Sequence, residues 1–445
     1  MNSVHTCPAL LISAPASGQG KTTITSGIAR LFARRGLRVS VFKYGPDFID
    51  PYWLELASGR PVYQLDMWMT GEQDCSRRLF EAAAKSDLIL IEGAMGLFDG
   101  APSASKLAQH FKVPVVAVVD ASAMAGTFGA IAHGLKNYEE NMPWAGVLAN
   151  RVASDGHAQM LSTALKDVTD WLGAIQRKEE VTIPERHLGL VISDEISDAE
   201  IRLDTLADLL ESTPLGQLSA SDLQKWAVDF HAPAIAAQTP KLLQGKTIAI
   251  ARDEAFCFIY AANLDALKAL GASIVYFSPL HDEVLPECDA IWLPGGYPEL
   301  HTSTLAANTK MYASVKAAIE ANTPVWAECG GMMVLFDEIQ TVDEVSHPAW
   351  GFLIGKIRMQ KKLGGLGPQY LETASGPLRG HTFHYSVCDS NAPVTRTTIK
   401  HSRISGLSSG ESVYEAGSIK ASYFHAWFAS NLQATAELFL KSDLK

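Results

Sequence analysis

The chain has 445 residues, 47% of them hydrophobic, enough to fill the cores of roughly two to four domains. Its 37 basic and 48 acidic side chains leave a net charge of -11, which opposes a nucleic acid or an anionic membrane as the main partner. Six cysteines (Cys7, Cys75, Cys257, Cys288, Cys329 and Cys388) are scattered without a C-x-x-C pair, the usage expected of reduced thiols in a cytoplasmic protein.

From Ala9 onward, short β-rich runs alternate with helix-period segments: ALLISA, LRVSVFKY, DLILIEGA, VPVVAVVD and WAGVLAN. Wholly apolar strands separated by helices predict a parallel sheet covered on both faces. The stretch VPVVAVVDASAMAGTFGAIAHG is interrupted by Asp120, Ser122 and glycines, so it predicts a strand followed by a helix, not a membrane span. LGLVIS, from Leu188, predicts a further strand. Residues 214–245 carry one helical patch and then an Ala/Pro/Gln-rich stretch, which reads as a linker between a domain at 1–213 and another at 246–445. Beyond it a second alternation, KTIAIARD, ASIVYFSP, DAIWLPGG and TPVWAECGG, predicts a second α/β domain.

The loop APASGQGKTT joins the first strand to a helix-period run. That is the context in which backbone N–H groups and a helix N-terminus converge on phosphate oxygens. Ser17, Gly18, Gly20, Lys21 and Thr22 are the candidate ATP contacts, with Lys21 on the outer phosphates and Thr22 on Mg2+. Pro15 stands where the phosphate-loop pattern has its first glycine, which is tolerable if that position needs no positive φ. KYGPDFIDPYW places Asp47 and Asp50 after one strand, and EGAMGLFDG places Glu92 and Asp99 after another. Ligands of open α/β sheets gather at the carboxyl ends of strands, so these acids are expected to share a crevice with the loop, Asp47, Asp50 and Glu92 joining Thr22 around Mg2+. Asn150 and Arg151 end another strand, where an amide side chain has two readings, an adenine contact or a simple turn.

In TPVWAECGGMMVLF, Cys329 lies between a strand and a helix-period segment. Such an elbow exposes a nucleophile and aims it at a helix N-terminus, which lowers a thiol pKa. Gly330, with Gly296 of LPGGYPELH, is a candidate oxyanion donor. His425 of ASYFHAWFAS is the candidate base, distant in sequence as the partners of a thiol dyad normally are.

Taken together, APASGQGKTT, KYGPDFIDPYW, EGAMGLFDG, IWLPGGYPELH, AECGG and RGHTFHYS occur in an order that resembles the cobyrinic (or hydrogenobyrinic) acid a,c-diamide synthase family, glutamine-dependent amidotransferases of corrin biosynthesis. The resemblance spans nearly the whole chain. It implies a dethiobiotin-synthetase-like P-loop parallel-sheet domain followed by a class I glutamine amidotransferase α/β domain. It also implies that glutamine is hydrolysed through a thioester at Cys329 and that ATP phosphorylates the a and c acetate carboxylates, each acyl phosphate then being displaced by ammonia. Glutamine and a polycarboxylate corrinoid are the implied partners, with a homodimer as the candidate assembly. Asp50, Asp99, His381, His384 and Tyr385 are the candidate substrate-binding or activating residues.

Two departures stand out. Thr382 occupies a position where the family's RGHEFHYS segment has glutamate. Many class I glutaminases follow the histidine with x-Glu to orient it, whereas this chain reads His425-Ala426-Trp427, leaving the orienting group unidentified. The rival readings are amidation of another tetrapyrrole, such as nickel sirohydrochlorin, and a positioning ATPase with a deviant phosphate loop. The second is disfavoured because Ala16 stands where those ATPases carry their signature lysine, and because they have no thiol domain.

Overall fold

The computed structural model describes residues 3–186, 189–233, 239–401 and 410–441, in two compact units, Met1–Ala236 and Ala237–Lys445. In the first unit the elements are β1 (Val4–Ser13), α1 (Lys21–Arg34), β2 (Val39–Tyr44), α2 (Asp50–Ser58), β3 (Tyr63–Leu65), α3 (Glu72–Ala83), β4 (Leu88–Glu92), α4 (Ala104–Phe111), β5 (Val115–Asp120), α5 (Thr127–Asn137), β6 (Trp144–Val152), α6 (Asp155–Thr163), β7 (Trp171–Gln176), a hairpin of β8 (Glu185–Arg186) and β9 (Gly189–Leu190), α7 (Ala199–Glu211) and β10 (Ala227–His231). Strands β3-β2-β4-β1-β5-β6-β7 pair in that order, all parallel. The apolar runs follow from burial on both faces. Leu10 and Ile12 pack with Ile24 and Ile28 of α1, Trp53 of α2 and Leu206 of α7, while Ala9 and Leu11 pack with Leu79 of α3, Leu107 of α4 and Phe128 of α5.

The expected linker is partly built into this unit. Leu215, Leu223 and Trp226 join its core, and β10 pairs antiparallel with Val4–Pro8. Strand β1 therefore has two partners in succession: Pro8 faces Ala227, and from Ala9 onward the strand runs beside β4. Val228 and Phe230 are buried and their neighbours exposed, a period of two too short to stand out beside the Ala/Pro/Gln-rich stretch. Of the expected strand LGLVIS, Leu188 lies outside the described residues, and only Gly189–Leu190 pairs, in the β8–β9 hairpin.

In the second unit β11 (Thr247–Ala251), α8 (Ala261–Ala269), β12 (Ser273–Phe277), β13 (Ala290–Leu293), α9 (Thr302–Ala307), α10 (Thr309–Glu320), β14 (Val325–Glu328) and α11 (Gly330–Met333) come first. Then follow β15 (Phe336–Gln340), β16 (Ser346–Pro348), β17 (Leu353–Met359), β18 (Gly365–Thr373), β19 (Gly376–His384), β20 (Ser386–Ser390), β21 (Val394–Thr397), β22 (Ile399–Lys400), β23 (Ser412–Ala416), β24 (Ile419–Ser422), β25 (His425–Ala426) and α12 (Leu432–Phe439). The main sheet runs β12-β11-β13-β14-β24-β23-β21, parallel as far as β24 and antiparallel beyond it. Two four-stranded sheets, β16-β15-β17-β20 and β22-β18-β19-β25, complete the unit. Among the described residues no helix is long and apolar enough to cross a membrane.

Candidate functional site

The phosphate-loop segment lies between β1 and α1, in the first unit. Gly18 and Gly20 take φ of 76° and 88°, the left-handed region that glycine enters without steric cost. A Cβ on Gly20 would stand 2.3 Å from Nδ2 of Asn150, so that position excludes any side chain on two grounds. Pro15 is not among the positive-φ residues, which is why proline is accepted there. Ser17 is exposed. Lys21 is buried, its Nζ donating to the carbonyls of Ala16 at 3.2 Å and Met95 at 2.6 Å; burial, with Lys43 nearby, holds its pKa below the ordinary lysine value.

The loop is gripped from the ends of β5 and β6. Asn150 Nδ2 donates to the carbonyl of Gln19 at 2.9 Å, and its Oδ1 accepts from the N–H of Arg151 at 2.9 Å. Arg151 donates to the carbonyl of Gly18 at 3.0 Å and to Asp120 at 2.6 Å. The Asp120 N–H donates to Oε1 of Gln19 at 2.9 Å. Both residues expected near the nucleotide thus touch the loop backbone.

The acidic residues are arranged around Lys43, a buried lysine whose role the sequence does not signal. Lys43, 2% exposed, donates to Asp50 and, at 2.9 Å, to Oε1 of Glu92. Burial pulls the pKa of Lys43 down, but Asp50, Glu92 and Asp47 outweigh it and hold the ammonium charged. Thr22 donates its hydroxyl to the same Glu92 oxygen at 2.7 Å. Burial, reinforced by the Asp50 charge, raises Glu92 to about 7, against the pull of Lys43 and Thr22. Asp47 is turned to its own loop, accepting from the N–H groups of Ile49 at 2.7 Å and Asp50 at 3.2 Å. Burial raises it to about 6. Asp99 is exposed and accepts from the Gly96 N–H at 3.0 Å.

The four acids differ in their hydrogen-bond partners: a lysine joins Asp50 and Glu92, and backbone N–H groups engage Asp47 and Asp99. Among the described residues no three His, Cys, Asp or Glu side chains converge on a metal position. The fit to Mg2+ is narrower and better defined. Oε2 of Glu92 is buried and meets no donor among the described residues, with the Thr22 hydroxyl on the neighbouring oxygen. Mg2+ takes one or two carboxylates and draws its remaining ligands from phosphates and water, so this donor set suits it.

Cys329 marks the second site. It joins β14 to α11 with φ 47° and ψ -110°, a conformation a non-glycine residue holds only when its surroundings fix it. Here its N–H donates to the Ser422 carbonyl at 2.8 Å and its carbonyl accepts from Met333 at 2.9 Å. The turn leaves no room for side chains. A Cβ on Gly331 would lie 2.1 Å from the Leu293 carbonyl oxygen, and one on Gly330 would lie 2.9 Å from the Gly296 nitrogen. The two candidate oxyanion glycines are thereby adjacent.

The elbow's expected effect on thiol acidity is not observed. Cys329 is 5% exposed, and burial, reinforced by Glu299 and opposed by the Gly330 N–H, raises its pKa well above the ordinary thiol value. Helix α11 has only four residues, too few for a strong N-terminal field. Burial thus favours the neutral thiol form of Cys329.

His425, the candidate base, lies near this thiol. A Cβ on Gly295 would lie 2.5 Å from Cε1 of His425 and 3.4 Å from Cβ of Cys329, so the two side chains flank one glycine. Burial, then His381 and His384, drive the His425 pKa well below its ordinary value, and a neutral imidazole can accept the thiol proton.

The RGHTFHYS segment forms the end of β19 and leads into β20. His381 pairs with His425 across β19 and β25, its ring stacked on it at 5.0 Å and 17°, and burial lowers its pKa to about 3. A residue expected at the corrinoid thus lies beside the candidate base His425. His384 stacks on Tyr423 at 3.7 Å and faces Glu411 at 3.3 Å. Tyr385 is half-buried, edge-on to Phe383. Thr382 is fully buried, and its Oγ1 has no hydrogen-bond partner among the described residues.

Known proteins divide the chain in the same way. Residues 10–191 match the family model of the CobQ/CobB/MinD/ParA nucleotide binding domain, and residues 247–433 match the CobB/CobQ-like glutamine amidotransferase domain. A hydrogenobyrinate a,c-diamide synthase of Stutzerimonas stutzeri is 50% identical, over 97% of this chain and 98% of its own. Its counterpart in Pseudomonas aeruginosa is 48% identical over 97% of each chain. A cobyrinate a,c-diamide synthase of Herminiimonas arsenicoxydans is 48% identical over 97% of this chain and 96% of its own. With a nucleotide-binding unit and a glutamine amidotransferase unit in one polypeptide, the chain belongs to the family of cobyrinate and hydrogenobyrinate a,c-diamide synthases.

Proposed function

We propose that this enzyme amidates the a and c acetate side chains of cobyrinic or hydrogenobyrinic acid, with ATP as activator and glutamine as nitrogen donor. The observation that carries the reading is the pairing, in one chain, of a glycine loop with Lys21, Thr22 and Glu92 at its mouth and a strained cysteine with a buried histidine across a single glycine. Free cysteines throughout fit a cytoplasmic setting.

In the second unit, His425 takes the thiol proton as Cys329 attacks the side-chain carbonyl of glutamine. The developing oxyanion is met by backbone N–H groups at Gly296 and Gly330. His425 returns the proton to the departing nitrogen, ammonia leaves, and water cleaves the thioester to release glutamate. In the first unit, Gly18, Gly20 and the start of α1 cradle the phosphates of ATP while Lys21 swings from the Ala16 and Met95 carbonyls to the outer phosphates. Thr22 and Glu92, with Asp50 beside them, would hold Mg2+, which when bound offsets charge on the phosphates. A corrinoid carboxylate takes the γ-phosphoryl group, giving an acyl phosphate and ADP. Ammonia then attacks the acyl carbon and phosphate leaves. The division has a chemical reason: a free carboxylate resists attack by ammonia, and phosphorylation provides a leaving group.

Replacing Cys329 by alanine tests this reading. Glutamine hydrolysis should fall by a factor on the order of 10³ or more, as for loss of a nucleophile, while amidation supported by added ammonium continues. Glutamine hydrolysis at the wild-type rate in this variant would refute the thiol assignment.

A further inference from the structure

The residue that precedes the nucleophile lies closest to filling the place left by the missing x-Glu pair. Glu328 ends β14, is 1% exposed, and divides its two oxygens. Oε1 accepts from the Trp326 indole N–H at 2.7 Å and from the Ala426 backbone N–H at 3.1 Å. Oε2 faces Nδ1 of His425 at 3.9 Å. One carboxylate therefore holds the backbone beside His425 and stands next to its ring. From the other side, Asn263 donates to the Ala426 carbonyl at 2.8 Å and accepts from the Phe428 N–H at 2.9 Å, so both backbone groups of the residue after the histidine are bound by buried side chains. Nδ1 faces Glu328, and a hydrogen carried there makes Nε2 the basic nitrogen of the ring.

We infer that Glu328 is the positioning residue for His425: its carboxylate fixes the tautomer carrying hydrogen on Nδ1 and stabilises the imidazolium formed when Cys329 gives up its proton. This rests on the proposed thiol chemistry at Cys329. The separation of 3.9 Å is longer than a hydrogen bond, and catalytic contacts of this kind commonly tighten when substrate binds. Two fully buried tryptophans paired in register, Trp292 and Trp326, belong to the strands that carry this acid and its neighbour, so a charge formed on the imidazole has little water to meet. Among the described residues, other titratable groups around the pair include His381 and His384 beside the imidazole, Glu299, Glu411 and Tyr423 around the thiol, and Tyr260 against His381. Burial raises Glu328 to about 8, so the ionised form that fixes this tautomer grows as pH rises toward that value, and a positive imidazolium beside it favours the same form.

The test compares two substitutions in the full-length enzyme, reading glutamine hydrolysis, the pH profile of Cys329 alkylation by iodoacetamide, and the thermal unfolding midpoint. Glu328→Gln has the same shape and still accepts from Trp326 and Ala426, but an amide N–H facing Nδ1 selects the wrong tautomer. It should lower kcat by roughly 10²–10⁴-fold, leave KM for glutamine within about threefold, and displace the alkylation profile. Glu328→Asp keeps the charge on a shorter arm and should retain more activity than Gln. A purely structural role predicts the reverse order, Gln near wild type and Asp impaired. That order, or a Gln variant with unchanged kcat and alkylation profile, overturns the inference. Cys329→Ala, assayed alongside, separates the two levels. If it still hydrolyses glutamine, the thiol reading itself fails; if it is inactive while Glu328→Gln is normal, only the role of Glu328 fails.

Discussion

Lys43 and Glu328 are buried ionisable groups, each bonded to more than one partner, and neither stands out in the sequence. A lysine at a strand end beside an acidic run reads as a solvated surface charge. An acid before a cysteine reads as the polar end of a strand. Their meaning lies in burial and in partners 49 and 98 positions away. For Lys43 the consequence is energetic. Removing one partner of a buried ion pair leaves uncompensated charge and costs about 3–5 kcal/mol. Lys43→Met should therefore lower the stability of the first unit by about that amount in urea unfolding, with ATP turnover lost as well; a change below about 1 kcal/mol would show that Asp50 and Glu92 do not depend on this cation. His381 supplies a test in pH. Its pKa in the fold is about 3, against an ordinary value of 6.5. Below pH 6.5 the unfolded chain takes up a proton that the fold refuses, so stability falls as pH drops from about 6.5 toward 3. His381→Gln should flatten that slope in the unfolding midpoint of the second unit, and an unchanged slope would place the proton uptake elsewhere.

At the scale of elements, the loop after β1 and the elbow after β14 were legible because each is a backbone device with a glycine signature. Gly20 is required twice over, by its φ of 88° and by Asn150 at 2.3 Å from a potential Cβ. Gly20→Ala should weaken ATP binding by at least tenfold in a titration of the full enzyme while glutamine hydrolysis persists; wild-type affinity would mean that the loop does not hold phosphate. What the sequence hid were elements whose pattern is short or mixed. Strand β10 buries two of its five residues and adjoins a stretch with linker composition. Strands such as β17 alternate buried, exposed and intermediate positions without a clean period, so the two smaller sheets gave no strong signal. The placement of His381 is a related case. Its motif was visible, but only the pairing of β19 with β25 shows that the ring meets His425.

For the molecule as a whole, two units with different chemistry were visible from the order of their motifs, since fully apolar parallel strands and their loops survive as contiguous text. The acid that faces His425 at 3.9 Å was not, because it comes from a different strand of the same unit. In the proposed reaction, the nitrogen released by one unit has a use only if the other holds an activated carboxylate. The most direct measurement is therefore the product mass after cobyrinic acid, hydrogenobyrinic acid and nickel sirohydrochlorin are each incubated with the enzyme, ATP, Mg2+ and glutamine. Conversion of two carboxylates to amides in cobyrinic or hydrogenobyrinic acid, dependent on both ATP and glutamine, is the predicted result. Amidation of nickel sirohydrochlorin alone, or of none of the three, would contradict it.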